Sequence, residues 1–213
     1  MGCVFYFFLT RGAHPFGEEL LRDYHIVQGE PDFTAFYQDS SIDSPTEALD
    51  LVRSMVRAQP EERPTTAQVL QHPYFWNKEK RLEFMYKVSD CLRLKAKDPR
   101  SPLALALETQ FDRIVGPNGD WFQMLDPPIQ HSVREKRSFD SSRLQTLLTA
   151  IRNKGVHYSE ASFKVKQIYG SYPDGYYDYF ARRFPDFFMY IYDFARLHPE
   201  LYEDDFLRQY FDG

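Results

Sequence analysis

The chain has 213 residues, 26 Lys and Arg against 31 Asp and Glu for a formal net charge of -5, and an aromatic content of 17%. At 43% hydrophobic it can bury a sizeable core, which excludes a disordered tail. Two cysteines, Cys3 and Cys91, exclude a disulfide framework and make a reducing compartment the default, and the acidic balance taken alone argues against a nucleic-acid partner.

Residues 2–10 read as a buried apolar helix. The apolar run 3–9 is far short of the roughly 20 residues of a membrane span. It has neither the basic start nor the small-residue cleavage site of a signal peptide. Met1-Gly2-Cys3 resembles an N-myristoylation start, but Tyr6 stands where that signal needs Ser or Thr. No membrane contact is expected from this chain, and its expected location is cytosolic. Residues 18–28 read as a short amphipathic helix. Residues 46–58 carry Ala48, Leu51, Val52, Met55 and Val56, the stripe of a core-facing helix, with Ser44-Pro45-Thr46 as its start. A further helix runs over 66–71 and stops at His72-Pro73.

The charge is split at this point. Residues 1–76 hold 5 Lys and Arg, no lysine among them, against 11 Asp and Glu; residues 77–213 hold 21 against 20. A domain boundary is placed there, giving 1–76 and 77–213. In the second part, helices are expected over 79–95 and over 101–115, the latter with Leu103, Leu105, Leu107, Phe111 and Ile114. Gly116-Pro117-Asn118-Gly119 is a turn and Asp126-Pro127-Pro128 an extended connector. Residues 142–154 put Leu144, Leu147, Leu148 and Ile151 on one face, with Gly155 as the stop. Helices over 162–169, 175–183 and 185–197 complete an all-α chain.

The six histidines are scattered and neither cysteine is in a C-x-x-C pair, so no metal site is expected. Cys91 reads as a packed thiol. Trp121 and the Tyr and Phe residues from 176 to 192 read as core rather than base-stacking platforms. The basic run from Lys78 to Arg100 fits an RNA-steering face and a solvated face equally well. The informative stretch is Ile151-Arg152-Asn153-Lys154-Gly155-Val156-His157-Tyr158. It gathers a guanidinium, an amide, an ammonium and an imidazole at one helix end. An Arg fork suits a phosphate, Asn can hold a phosphate or a sugar hydroxyl, and His can pass a proton to a leaving alkoxide. That set suffices for metal-free RNA cleavage. It also fits a helix C-terminus whose cations complement the dipole.

The flanking residues carry a resemblance. His72-Pro73-Tyr74-Phe75-Trp76 leads into Glu79-Lys80-Arg81-Leu82-Glu83-Phe84 and Val88-Ser89-Asp90. Trp121 precedes Pro127-Pro128. Leu147-Leu148-Thr149-Ala150-Ile151-Arg152-Asn153-Lys154 is followed by His157-Tyr158. Pro173-Asp174-Gly175-Tyr176-Tyr177-Asp178-Tyr179-Phe180 then precedes Arg183-Phe184-Pro185. In this order and spacing they resemble the kinase-extension nuclease (KEN) domain of the inositol-requiring sensors of the unfolded-protein response, shared with ribonuclease L. Residues 1–76 resemble the end of a protein-kinase C-lobe, on Gly2-Cys3-Val4-Phe5-Tyr6, His14-Pro15-Phe16-Gly17 and Arg63-Pro64. No glycine-rich loop, H-R-D, D-F-G or A-P-E is present, so the family's ATP and Mg site is missing and no kinase activity is expected of this chain. Arg63 would lack the glutamate it pairs with in that family.

The resemblance implies a dimeric or higher-order endoribonuclease that needs no cofactor for RNA cleavage and leaves 2′,3′-cyclic phosphate and 5′-hydroxyl ends. His157 aligns with the family's general acid, Arg152 and Asn153 with its phosphate- and sugar-binding pair, and Lys154 with a pocket lysine. Phe139 and Tyr158 are carried as substrate-binding residues. If the chain is part of a full-length, membrane-anchored sensor, the implied place is the cytosolic face of the endoplasmic reticulum. Phe139 stands where the sensors place a tyrosine base, and Gln145-Thr146 where they have Arg-Asp. These departures keep open a weak or inactive KEN-fold interaction or dimerisation module. Locally the charge reverses: residues 131–166 hold eight Lys and Arg against three acids, a positive patch that could steer RNA.

Overall fold

The computed structural model describes residues 1–38, 42, 44–117, 119–134 and 139–211, and every regular element among them is a helix. The chain divides into two compact units between Phe75 and Trp76.

The first unit holds α1 (Gly2–Leu9), α2 (Glu19–Gln28), α3 (Thr34–Gln38), α4 (Pro45–Met55) and α5 (Thr66–Gln71). The α4 stripe packs as expected: Ala48, Leu51, Val52 and Val56 are buried. Its start differs. Pro45 opens the first turn, but Ser44 takes a left-handed backbone (φ 49°) and its hydroxyl does not cap the helix. The expected burial of α1 is also corrected. Only Gly2 and Tyr6 are buried, while Val4, Phe7 and Phe8 are exposed. One face of α1 is pressed on α4, close enough that a Cβ on Gly2 would lie 2.7 Å from Val56 Cγ1. The amphipathic pattern of α2 buries no residue. Arg63 is held locally, donating from Nε to the Arg57 carbonyl at 2.8 Å.

The second unit is built on α6 (Lys78–Lys95), which Asn77 caps by accepting from the Lys80 amide at 2.8 Å. Leu82, Phe84, Met85, Val88 and Leu92 of α6 are buried. The segment 101–115 is two helices, α7 (Pro102–Glu108) and α8 (Phe111–Val115). The ladder tightens where Thr109 N donates to Ala106 O at 3.3 Å, with the Thr109 hydroxyl on the same carbonyl at 2.8 Å. Within α7, Leu105 falls on the face away from Leu103 and Leu107 and is exposed, while Leu103, Leu107 and Ile114 stay in the core. Gly116 supplies the turn with φ 101°; Asn118 lies outside the described residues.

Asp126-Pro127-Pro128 is not an extended connector. It starts α9 (Pro127–Arg134), with the Asp126 carbonyl accepting from Ile129 N at 2.8 Å and Gln130 N at 2.9 Å. Prolines at the first turn give up no hydrogen bond, because those N–H groups have no intrahelical acceptor. Next comes α10 (Leu144–Val156), with Leu144, Leu147, Leu148 and Ile151 buried as its spacing predicts. Gly155 does not stop it. The helix continues to Val156 and His157 occupies the C-cap. Gly155 instead lets α10 meet α6: a Cβ there would sit 1.7 Å from the Tyr86 hydroxyl oxygen and 2.5 Å from Cζ. Then follow α11 (Phe163–Tyr169), capped by Ser162, α12 (Asp174–Ala181), α13 (Phe187–Leu197) and α14 (Pro199–Tyr202).

The aromatic residues settle in the core of this unit. Trp121 is 0% exposed, and its indole N–H donates to Thr146 Oγ1 at 3.2 Å. Tyr176 is equally buried and donates to the Ile151 carbonyl at 2.6 Å. The basic run from Lys78 is largely tied down: Lys78 pairs with Asp178 at 2.8 Å, Lys87 with Glu83 at 2.9 Å and Lys95 with Asp204 at 2.6 Å. Arg81, 3% exposed, lies over the rings of Tyr177 and Phe188. Cys91 is buried, and that burial, together with a hydrogen bond to the Asp204 carboxylate, pushes its thiol up to about 12. It is a packed thiol and not a nucleophile.

The seam between α6 and α10 is open to a direct test. Gly155→Ala gains helix propensity, about 1 kcal/mol, but overpacks against Tyr86, about 1–3 kcal/mol. The melting temperature should fall by roughly 2–6 °C. Adding Tyr86→Phe removes the nearer oxygen but keeps Cζ, 2.5 Å from the new Cβ, so it should restore only part of that loss in a thermal melt, and Tyr86→Ala should relieve the overlap altogether.

Candidate active site

The C-terminal end of α10 presents Arg152, Asn153 and Lys154, and its C-cap presents His157. With Asp90 and Arg93 from α6 and with Phe139, they line a cleft of about 330 Å³, at the lower end of the range for small-molecule sites. A second cleft of about 580 Å³ adjoins it, between the start of α9 and residues 160–169. Lys154 and His157 line both.

Arg152 is held from two sides. Its Nη2 donates to Asp90 Oδ2 at 3.2 Å and its Nη1 to Asn153 Oδ1 at 3.3 Å. Its Nε is buried with no partner among the described residues. Asp90 also faces Arg93, at 3.6 Å. The carboxylate therefore sits where an anion would sit, and a phosphate has to share or replace it. Because Asn153 accepts through Oδ1, its amide N–H groups remain for a ligand.

Lys154 donates to the carbonyl of Ser132 and, at 2.9 Å, to its hydroxyl, which fastens the end of α10 to α9. His157 is half exposed, with Nδ1 2.8 Å from Glu160 Oε1. A carboxylate on Nδ1–H fixes that tautomer and leaves Nε2 to exchange a proton. Burial of Tyr86 and Tyr176 beneath this end of α10 raises both phenols well above their usual range, so neither offers a phenolate.

Five of the six residues singled out in the sequence line the first cleft: Phe139, Arg152, Asn153, Lys154 and His157. Tyr158 is not brought there. Its ring packs against Tyr169, Tyr172 and Tyr176, and its hydroxyl donates to the Gly170 carbonyl. Phe139 also packs edge-on against Trp121, with centroids 6.2 Å apart. Gln145 and Thr146 are about two turns of α10 from Arg152. Gln145 donates to the Ala96 carbonyl and Thr146 serves Trp121, so both are structural.

The positive patch read over 131–166 is narrower than the count of charges. Arg143 pairs with Glu108 at 3.4 Å, Arg134 lies over Phe122 at 4.2 Å, and Lys166 donates to the Ser159 carbonyl at 2.6 Å. Lys136 and Arg137 lie outside the described residues. Sequence reasoning missed Asp90, Arg93 and Glu160. Glu160 had a local signal, an acid three residues after the histidine; the α6 pair had none near the motif. Among the described residues no three His, Cys, Asp or Glu side chains gather to hold a metal ion, and no helix is long and apolar enough to cross a membrane.

Comparison with known proteins bears on this arrangement. The family model for Ribonuclease 2-5A matches residues 81–211, from the first turns of α6 through α14, with both clefts. The human serine/threonine-protein kinase/endoribonuclease IRE2 is 39% identical over 184 residues, covering 86% of this chain and 19% of the relative. The sensor for unfolded proteins in the ER ire1 of Schizosaccharomyces pombe is 32% identical over 212 residues, covering 100% of this chain and 19% of its own length. The Hypocrea jecorina serine/threonine-protein kinase/endoribonuclease IRE1 is 37% identical over 187 residues, 87% of this chain and 15% of the relative. The chain thus spans about a fifth or less of these relatives. With more than half its length inside the family model, the chain belongs to the Ribonuclease 2-5A family, alongside the IRE1 proteins.

Proposed function

We propose that this chain is an endoribonuclease domain that cleaves stem-loop RNA through attack by the 2′-hydroxyl. The observation that carries the reading is the grouping at one helix end of a phosphate fork (Arg152), an amide donor (Asn153) and an imidazole whose Nδ1 is held by Glu160. The 2′-oxygen forms a bond to phosphorus and the bond to the 5′-oxygen breaks. His157 gives its Nε2 proton to that leaving oxygen. Arg152 and the Asn153 amide hold the phosphate oxygens as charge builds on them, with Asp90 displaced. Phe139 has no atom to take the 2′ proton, which leaves to solvent. The ends are a 2′,3′-cyclic phosphate and a 5′-hydroxyl, and the route uses no metal or other cofactor.

The names of the relatives support the same activity and add its setting: a kinase/endoribonuclease and a sensor for unfolded proteins in the ER. We carry residues 1–76 as the end of a kinase C-lobe, residues 77–213 as the KEN nuclease, and the cytosolic face of the endoplasmic reticulum as the site of action. The active form is a dimer or higher oligomer, so the rate should rise more steeply than linearly with protein concentration in a dilution series. Strict linearity down to dilute protein would remove that part of the proposal.

A second reading, a weak or inactive interaction module, is favoured by Phe139 and by the Asp90 clamp on Arg152. A labelled stem-loop RNA in EDTA separates the two: cyclic-phosphate ends mean an enzyme, and binding without cleavage means a module. For the enzyme, His157→Ala should lower the rate by about 10²–10⁴-fold with an unchanged melt. Glu160→Gln should lower kcat about tenfold or more, because it loosens the imidazole. Wild-type rates in His157→Ala would refute the assignment.

A further inference from the structure

The second cleft shares His157, Lys154 and Glu160 with the chemistry above, but the rest of its lining has no part in it. We propose that it is the subsite for the leaving nucleotide, the one 3′ to the scissile phosphate, with Lys164 as the contact for that nucleotide's own 3′-phosphate. The inference rests on the nuclease reading and extends it to substrate length.

The argument starts from the direction of the reaction. In-line displacement puts the attacking 2′-oxygen and the leaving 5′-oxygen on opposite sides of phosphorus. The acid must lie on the leaving side. His157 and Lys154 line both clefts, so they form the boundary between them. Arg152, Asn153 and Phe139 line only the first, which takes the nucleotide that bears the 2′-hydroxyl. The chain that departs from His157 then enters the second cleft. At about 580 Å³ that cleft has room for a nucleotide by the usual size of ligand sites.

Its lining suits a sugar-phosphate. Ser132, Ser162 and His131 give polar edges, and Pro127 and Pro128 give an apolar wall. Lys164 is exposed and makes no ion pair or hydrogen bond among the described residues, unlike Lys154 and Lys166, which are fastened to Ser132 and Ser159. Tyr169, 1% exposed, also lines this cleft, and its hydroxyl is buried with no partner among the described residues. Burying a hydroxyl without a partner is unfavourable, and such atoms are rare in native folds. Each cleft is therefore lined by one residue that carries an unpartnered buried polar atom, Arg152 with its Nε at the first and Tyr169 with its Oη at the second.

Binding of ligands that cannot be cleaved tests this. One probe is a 2′-deoxynucleoside 3′-monophosphate, which reaches only the first cleft and the boundary. The other is the 2′-deoxy dinucleotide with a 3′-phosphate, in pyrimidine and purine versions. The dinucleotide should bind roughly tenfold tighter, and Lys164→Glu should remove most of that gain while changing the mononucleotide little. Equal affinity of the two probes for the wild type, or equal weakening of both by Lys164→Glu, would overturn the subsite. The all-ribose dinucleotide is assayed for cleavage in parallel. Cleavage without the binding gain defeats the subsite and keeps the nuclease. The gain without cleavage keeps a nucleotide site and defeats the nuclease.

Discussion

The close approach of α6 and α10 is what the candidate site depends on. Gly155 is the only residue type that fits where the Tyr86 ring presses on α10. That contact brings α6 and α10 together where Asp90 and Arg93 face Arg152. Most of the first cleft's lining comes from these two helices, the larger share from α10. Neither could form it alone. The buried Tyr176 hydroxyl on the Ile151 carbonyl secures the same end of α10 from below.

The groups at this seam are held in place before any ligand arrives. Arg152 rests on Asp90, Lys154 on Ser132, and His157 on Glu160. Such pre-orientation matters because catalysis gains from dipoles and charges that need not move when the reaction occurs. The clamp on Arg152 runs the other way, since an anion arriving at the guanidinium would have to share or replace Asp90.

Much of this was legible in the residues because it is periodic or local. The stripes of α4 and α10 follow from the 3.6-residue repeat, and the Arg152-Asn153-Lys154 and His157 grouping from one helix end. The misreadings came where one residue type serves two physical purposes. Proline can extend a connector or open a helix, and at 127–128 the carbonyl of Asp126 decides for the helix. Glycine can end a helix or admit a neighbour, and at 155 Tyr86 decides for the neighbour. Tyr158 belongs to a tyrosine cluster whose members are distant in sequence, and Asp90 reaches Arg152 across 62 positions. Contacts of that range leave no trace in spacing.

The pairing of Arg152 with Asp90 has a consequence for how RNA would be drawn in. Attraction between a protein and a nucleic acid gains its force from small ions set free when bare cations meet bare phosphates. Here an acid stands beside the cations already: Asp90 lies between Arg152 and Arg93. Much of the ion release has taken place within the fold. Association at this cleft would therefore depend on counterion concentration less steeply than its number of basic residues implies, and the fit of one phosphate would outweigh the pull of the charge.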